Sequence, residues 1–206
     1  MLSLEVKQLT KSYNRRMVLS NLSFVHSEGI LGISGANGSG KSTLLKCLSF
    51  LLRPKNGTII WKENSNILSK EDIKPLISFS APYVNLYSEL TSFENLEFIQ
   101  EVSGKGKNPE LIREILDFVQ MEDFSSQLFK QLSTGQQQRI KLASSLVRNP
   151  RILFLDEPGS NLDEKGHELV SKIVQHQKHN GTLVVIASNN PAEIELCDNV
   201  IELISN

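Results

Sequence analysis

The run Gly35-Ala36-Asn37-Gly38-Ser39-Gly40-Lys41-Ser42-Thr43 constrains this chain more than any other segment. It has the spacing G-x-x-x-x-G-K-[ST]. The short apolar stretch Ile30-Leu31-Gly32-Ile33-Ser34 precedes it, and Leu44, Leu45, Leu48 and Leu51 follow at helical spacing. A strand that turns through glycines into a helix is an anion cradle. The glycines let backbone N–H groups close on phosphate oxygens, and the helix N-terminus adds a positive dipole. Lys41 supplies a point charge for the β and γ phosphates, and the Ser42 hydroxyl is a hard oxygen ligand suited to Mg²⁺. A loop that merely reversed the chain would need neither of the last two residues.

The periodicity of the remaining sequence places this cradle in an α/β core. LSLEVKQL alternates as a strand from Leu2, and further strands are expected at about 18–25, 57–61, 151–155, 183–187 and 200–204. Arg151-Ile152-Leu153-Phe154-Leu155 is a continuous apolar run, the pattern of a strand buried on both faces of a parallel sheet. Between the halves of this core, from about 91 to 147, the pattern turns helical. Thr91 and Glu94 make a Thr-x-x-Glu capping box, the run 104–109 is a turn, Leu111 to Val119 form an amphipathic helix, and a further helix runs from about Gly135 to Val147. Helices are also expected at about 164–176 and 191–196. The expectation is a single domain of 206 residues, with 1–90 and 148–206 as α/β core and about 91–147 as a helical sub-lobe.

Several function classes fall away on composition. With 39% hydrophobic residues and apolar runs of about five, the chain can bury a core but has no membrane span, which needs roughly 20. No basic-then-apolar secretory leader opens the sequence. Cys47 and Cys197 read as reduced thiols of a cytosolic protein. Charge is uneven: 1–60 hold eight Lys/Arg against two acids, whereas 151–206 hold four against nine. Both segments share one compact core, so their far fields largely cancel, and direct nucleic-acid binding is not expected.

A magnesium-dependent cradle needs an acidic partner. Asp156 ends the apolar strand, where a carboxylate can join the Mg²⁺ shell, and Glu157 follows, where a carboxylate can polarise a water for attack on the γ phosphate. Together, cradle and acidic pair fit a magnesium-assisted attack of water on a γ phosphate.

Leu132-Ser133-Thr134-Gly135-Gln136, followed by Gln137-Gln138-Arg139, resembles the LSGGQ signature of ABC transporter nucleotide-binding subunits, with Thr134 in place of the first glycine. Ser133 and Gln136 also form a Ser-x-x-Gln capping box, and a capped helix start that presents a serine and a glycine is itself an anion site. The resemblance extends from end to end. It implies a P-loop NTPase fold with a mostly parallel sheet, an N-terminal antiparallel β part and an inserted helical sub-lobe. It implies that Tyr13 stacks on adenine, unless that ring packs on the core instead. Ser160-Asn161-Leu162-Asp163 looks like the D-loop that crosses the dimer interface. By the same resemblance, two copies, or this chain and a related cassette, sandwich two ATP head to tail, with Ser133, Gly135 and Gln136 serving the partner's γ phosphate. A separate membrane permease would hold the dimer on the cytoplasmic face of the membrane and carry the cargo.

The sequence departs from the family at two functional places. Where the family has a glutamine that touches Mg²⁺ and relays to the permease, the chain has Pro82 in Ser80-Ala81-Pro82-Tyr83. Where the family has a histidine after the strand 183–187, the chain has Asn189. Asn189 either donates a neutral hydrogen bond to the γ phosphate or only caps the strand end. His176 and His179 lie too early to replace that histidine and read as surface residues. These departures keep a non-hydrolysing ATP-binding module open as an alternative. A soluble ABC-type ATPase outside transport is a second, although no basic arm or tandem cassette favours it.

Overall fold

The computed structural model describes residues 1–14, 16–104 and 106–204. They form two compact units, one within 1–77, 151–156 and 174–204, the other within 78–150 and 157–173. The helical stretch expected at 91–147 lies inside the second unit, and the turn residue Lys105 lies outside the described residues.

The first unit carries two sheets. Strands β1 (Leu2–Tyr13), β2 (Arg16–Ser27), β4 (Asn56–Glu63) and β5 (Asn66–Ile67) form an antiparallel sheet in the order β2-β1-β4-β5. The alternation read in the sequence is real: Leu2, Leu4, Val6 and Leu9 are buried, with Val6 and Leu9 separated by an irregularity at which Gln8 takes a φ of 49°. Strands β3 (Ile30–Ser34), β7 (Ile152–Asp156), β8 (Leu183–Ala187) and β9 (Asn199–Glu202) run parallel in the order β7-β8-β3-β9. Every residue of β7 and β8 is buried, which is why both read as unbroken apolar runs. Short connecting elements α2 (Lys70–Ile73) and β6 (Ile77–Ser80), neither expected from the sequence pattern, lead towards the second unit.

Helix α1 (Lys41–Leu48) packs on β7 and β8. The leucine spacing suggests a helix through Leu51, but Phe50 takes a left-handed φ of 59° and Leu51 is 66% exposed. The last carbonyls of α1 are taken by other donors: Phe50 N–H reaches Cys47 O (3.0 Å), Leu52 N–H reaches Lys46 O (2.9 Å), and the buried Trp61 indole reaches Leu48 O (3.0 Å). Trp61 also meets Phe154 edge-on, with ring centroids 6.4 Å apart, so one side chain joins the antiparallel sheet, α1 and β7. Both cysteines are free. Burial raises the Cys47 thiol to about 11 and Cys197 to about 12, so neither is a poised nucleophile.

In the second unit, α3 (Ser92–Val102), α4 (Pro109–Phe118) and α5 (Thr134–Leu146) pack around Leu96, Ile112, Leu116, Ile140 and Leu142. Both expected capping boxes form, Thr91 with Glu94 and Ser133 with Gln136. Asn108 caps α4, with Pro109 in its first turn. Helix α6 (Glu164–His179) runs from the second unit into the first, and α7 (Pro191–Ile194) precedes β9.

Candidate functional site

The parallel register brings the sequence-expected residues of the first unit to one level. Ile33 of β3 pairs with Ala187 of β8, and Ala187 pairs with Asp156 of β7. The next residues along the three strands therefore leave the sheet together at its carboxyl edge, where open α/β sheets bind their ligands. β3 continues into the glycine loop, β8 into Ser188 and Asn189, and β7 ends on Asp156 itself.

The loop 35–40 has the geometry of a phosphate cradle. Gly35, Gly38 and Gly40 take φ values of 143°, 82° and 106°, where a Cβ is strained. A Cβ on Gly40 would also lie 2.9 Å from Val18 Cγ1. Helix α1 starts without a side-chain cap and without an acid in its first turn, unlike α3 and α5 with their capping boxes. Its N-terminal N–H groups and dipole are thus left for an anion. Lys41 is 6% exposed, and its ammonium donates to Gly35 O (2.8 Å) and Ala36 O (3.5 Å), inside the loop. Ser39 is buried, and its hydroxyl has no hydrogen-bond partner among the described residues.

Asp156 is 1% exposed at the end of β7. Among the described residues no cluster of three or more His, Cys, Asp or Glu could hold a metal ion alone. The donor set still fits Mg²⁺ brought by a nucleotide, because that ion takes one or two protein oxygens and completes its shell with phosphate and water. Ser42, at the start of the helix that packs on β7, and Asp156 would supply such oxygens.

Asn189 donates its side-chain N–H to Asn37 Oδ1 of the loop (3.1 Å), across 152 residues of sequence. The cap at this strand end is its neighbour: Asn190 Oδ1 accepts Ala192 N–H (3.0 Å), and Ser188 Oγ accepts Asn190 N–H (2.9 Å). Asn189, Ser188, Gly35, Ala36, Pro191 and Ile194 line a cavity of about 290 Å³ beside the loop. Asn37 is a partner that no local signal identifies. Tyr13 is 47% exposed at the end of β1, with Lys11 Nζ 5.3 Å from its ring centre, so the ring does not pack into the core.

Ser133, Glu157, Asp163 and Pro82 lie in the second unit. Ser133 is exposed at the start of α5, its Oγ accepting Gln136 N–H (3.3 Å) and its own N–H donating to Gln136 Oε1 (2.9 Å). Glu157 has a left-handed φ of 47°, and Asp163 is exposed, its Oδ1 accepting Gly166 N–H (2.9 Å). Pro82 contributes a carbonyl that accepts from Lys141 Nζ (3.1 Å). His176 and His179 are exposed on α6.

The profile of the ABC transporter family matches residues 19–160. The uncharacterized ABC transporter ATP-binding protein YybJ of Bacillus subtilis is 32% identical over 97% of this chain and 92% of its own length. The lantibiotic transport ATP-binding protein SrtF of Streptococcus pyogenes is 30% identical, covering 93% of this chain and 82% of its own. Among solved structures, the dimeric post-hydrolysis state of the ATP-binding cassette MJ0796 bound to ADP and Pi superposes with a TM-score of 0.87 at 27% identity, over 97% of this chain and 94% of that one. The chain belongs to the ABC transporter family, as its ATP-binding, ATP-hydrolysing subunit.

Proposed function

We propose that two cassettes, either two copies of this chain or this chain and a related one, bind Mg·ATP between the cradle of one and the signature segment of the other. Their closure and release drives a separate membrane permease. The observation that carries this reading is the common level at which β3, β7 and β8 end, with the buried Lys41 ammonium inside the glycine loop.

In this reading residues 35–43 hold the triphosphate by backbone N–H groups. The Lys41 ammonium exchanges its bonds to the Gly35 and Ala36 carbonyls for phosphate oxygens, a trade of neutral acceptors for charged ones. Ser42 and Asp156 would hold a magnesium ion, which would supply positive charge to the phosphates. Tyr13 stacks on the adenine. Glu157 orients and polarises the attacking water, and Asn189 offers an N–H towards the γ phosphate. Ser133, Gly135 and Gln136 complete the partner's site, with Asp163 at the interface.

The permease has a candidate seat on the second unit. Tyr87 and Phe98 are exposed, meet edge-on at 5.0 Å between ring centres, and border a cavity of about 320 Å³ with Ser88 to Leu90. The buried Asn95 holds this loop, accepting Tyr87 N–H (2.8 Å) and donating to Tyr87 O (3.0 Å). An exposed aromatic patch on a stiff loop suits a protein partner, and this partner would place the cassettes at the cytoplasmic face of the membrane.

The test uses two variants of the full chain. Lys41→Ala should lower ATP affinity by well over tenfold in a nucleotide titration; parent-like affinity would overturn the cradle assignment. Glu157→Gln should retain ATP, lose turnover and elute as an ATP-held dimer in gel filtration with Mg·ATP. Hydrolysis at the parent rate would overturn the role of Glu157.

A further inference from the structure

Glu157 sits in a turn that is held both from within and by a neighbouring helix. Its φ of 47° is in the left-handed region, where a side chain with a Cβ is disfavoured unless its surroundings impose it. Within the turn, Ser160 N–H donates to Glu157 O (3.0 Å) and Leu162 N–H to Gly159 O (3.1 Å). Three stations of the turn, at 158, 161 and 163, also meet the first turns of α5. The Pro158 carbonyl accepts from Gln138 Nε2 (2.8 Å), and Gln138 is 4% exposed. The Asn161 carbonyl lies against Gly135, where a Cβ would stand 3.3 Å from that oxygen, so helix and turn meet backbone to backbone. The Asp163 carboxylate lies 3.8 Å from Arg139 Nη2, and the same guanidinium is anchored by Nη1 on Val119 O (3.2 Å).

We infer that Gln138 is a positioning residue for hydrolysis: its buried amide grips the Pro158 carbonyl and thereby fixes the left-handed backbone that aims the Glu157 carboxylate. The inference rests on the reading of Glu157 as the residue that polarises water. It assigns to α5 a second task beyond presenting Ser133 at its start. Pro158 has no N–H with which to anchor its end of the turn, so its carbonyl is the available backbone handle next to Glu157. With the Gln138 donor removed, a buried carbonyl loses its partner, and the turn can relax towards an ordinary φ. Binding of ATP, which uses the glycine loop, is left intact.

Gln138→Met, of similar length but without a donor, and Gln138→Glu, whose carboxylate repels the carbonyl, should both keep the parent's ATP Kd and KM within about twofold. Their kcat should fall about tenfold, the signature of lost alignment rather than lost binding. Thermal melting of each variant accompanies the kinetics, and if Gln138→Met does not fold, Gln138→Glu decides. Parent-like kcat in a folded variant overturns the inference, and so does a loss of kcat together with ATP affinity, which marks a general structural role. Glu157→Gln is assayed alongside. If it hydrolyses ATP at the parent rate, the reading of Glu157 has failed. If it is inactive while Gln138→Met turns over normally, only the brace has failed.

Discussion

At the scale of single residues, the departure at Asn189 now has a physical setting. The carboxamide is engaged by Asn37 of the glycine loop, while Asn190 does the capping. In the proposed reading Asn189 offers the γ phosphate a neutral amide, whereas a charge-assisted donor is about twice as strong. Asn189→His should therefore raise kcat by roughly tenfold, one such bond being worth about 1–1.5 kcal/mol, with little change in ATP affinity. Steady-state ATPase assays of the parent, Asn189→His and Asn189→Ala check this. A lower rate in Asn189→His would mean that the Asn37–Asn189 pair is itself the arrangement the site uses. The asparagine was visible in the sequence, but its partner was not, because the two are 152 residues apart and no periodicity links them.

At the scale of elements, the first unit hangs on Trp61. Its indole ring fills the space between β4, α1 and β7, and its N–H satisfies a terminal carbonyl of the helix that begins at the cradle. Trp61→Phe would leave the Leu48 carbonyl without this donor and open a small void. The expected cost is about 2 kcal/mol, read as a melting temperature lower by about 4–8 °C. Melting followed by far-UV circular dichroism measures it, and an unchanged midpoint would show that the indole N–H is not a tie. The helix ends illustrate why local reading succeeds unevenly. Thr91 and Ser133 announce their helices, because a cap acts within four residues of itself. The end of α1 at Leu48 was not announced, since it depends on Phe50 turning left-handed and on a tryptophan from another strand.

At the scale of the whole molecule, pH acts through groups at the sheet's far edge from the cradle. His26 is 2% exposed; its Nε2 has no partner among the described residues, and its Nδ1 is 3.3 Å from the Asn199 amide. Burial lowers its pKa below 6.5, against the opposing pull of Asp198, which also holds Ile30 N–H (2.8 Å) and Lys178 (2.5 Å). Because the folded state disfavours the imidazolium, stability is full above pH 6.5 and falls as pH drops through that value. A second loss comes lower, as Glu5, held down to about 2 by Lys62 and then Lys7, is protonated below its ordinary 4.5. Melting temperatures should fall between pH 7 and 5, and His26→Gln should flatten that interval while leaving the acid limb. A slope that survives His26→Gln would assign the loss to other groups.

Sequence alone determined the parts whose physics is local. The glycine loop between strand and helix, the capped helix starts, the alternation of β1 and the unbroken apolar runs of β7 and β8 are each written in contiguous residues, because turns, caps and burial patterns act over a few positions. Lys41, Ser42, Asp156 and Glu157 could be named from that writing, and Ser133 from the resemblance to the ABC signature. The tertiary structure alone decided what those residues face. The level shared by Ile33, Ala187 and Asp156 is a matter of strand register, set by how parallel strands pack after long crossovers. The Asn37–Asn189 bond, the Trp61 tie and the Gln138 grip on Pro158 are contacts between distant segments, with no local signature in either partner.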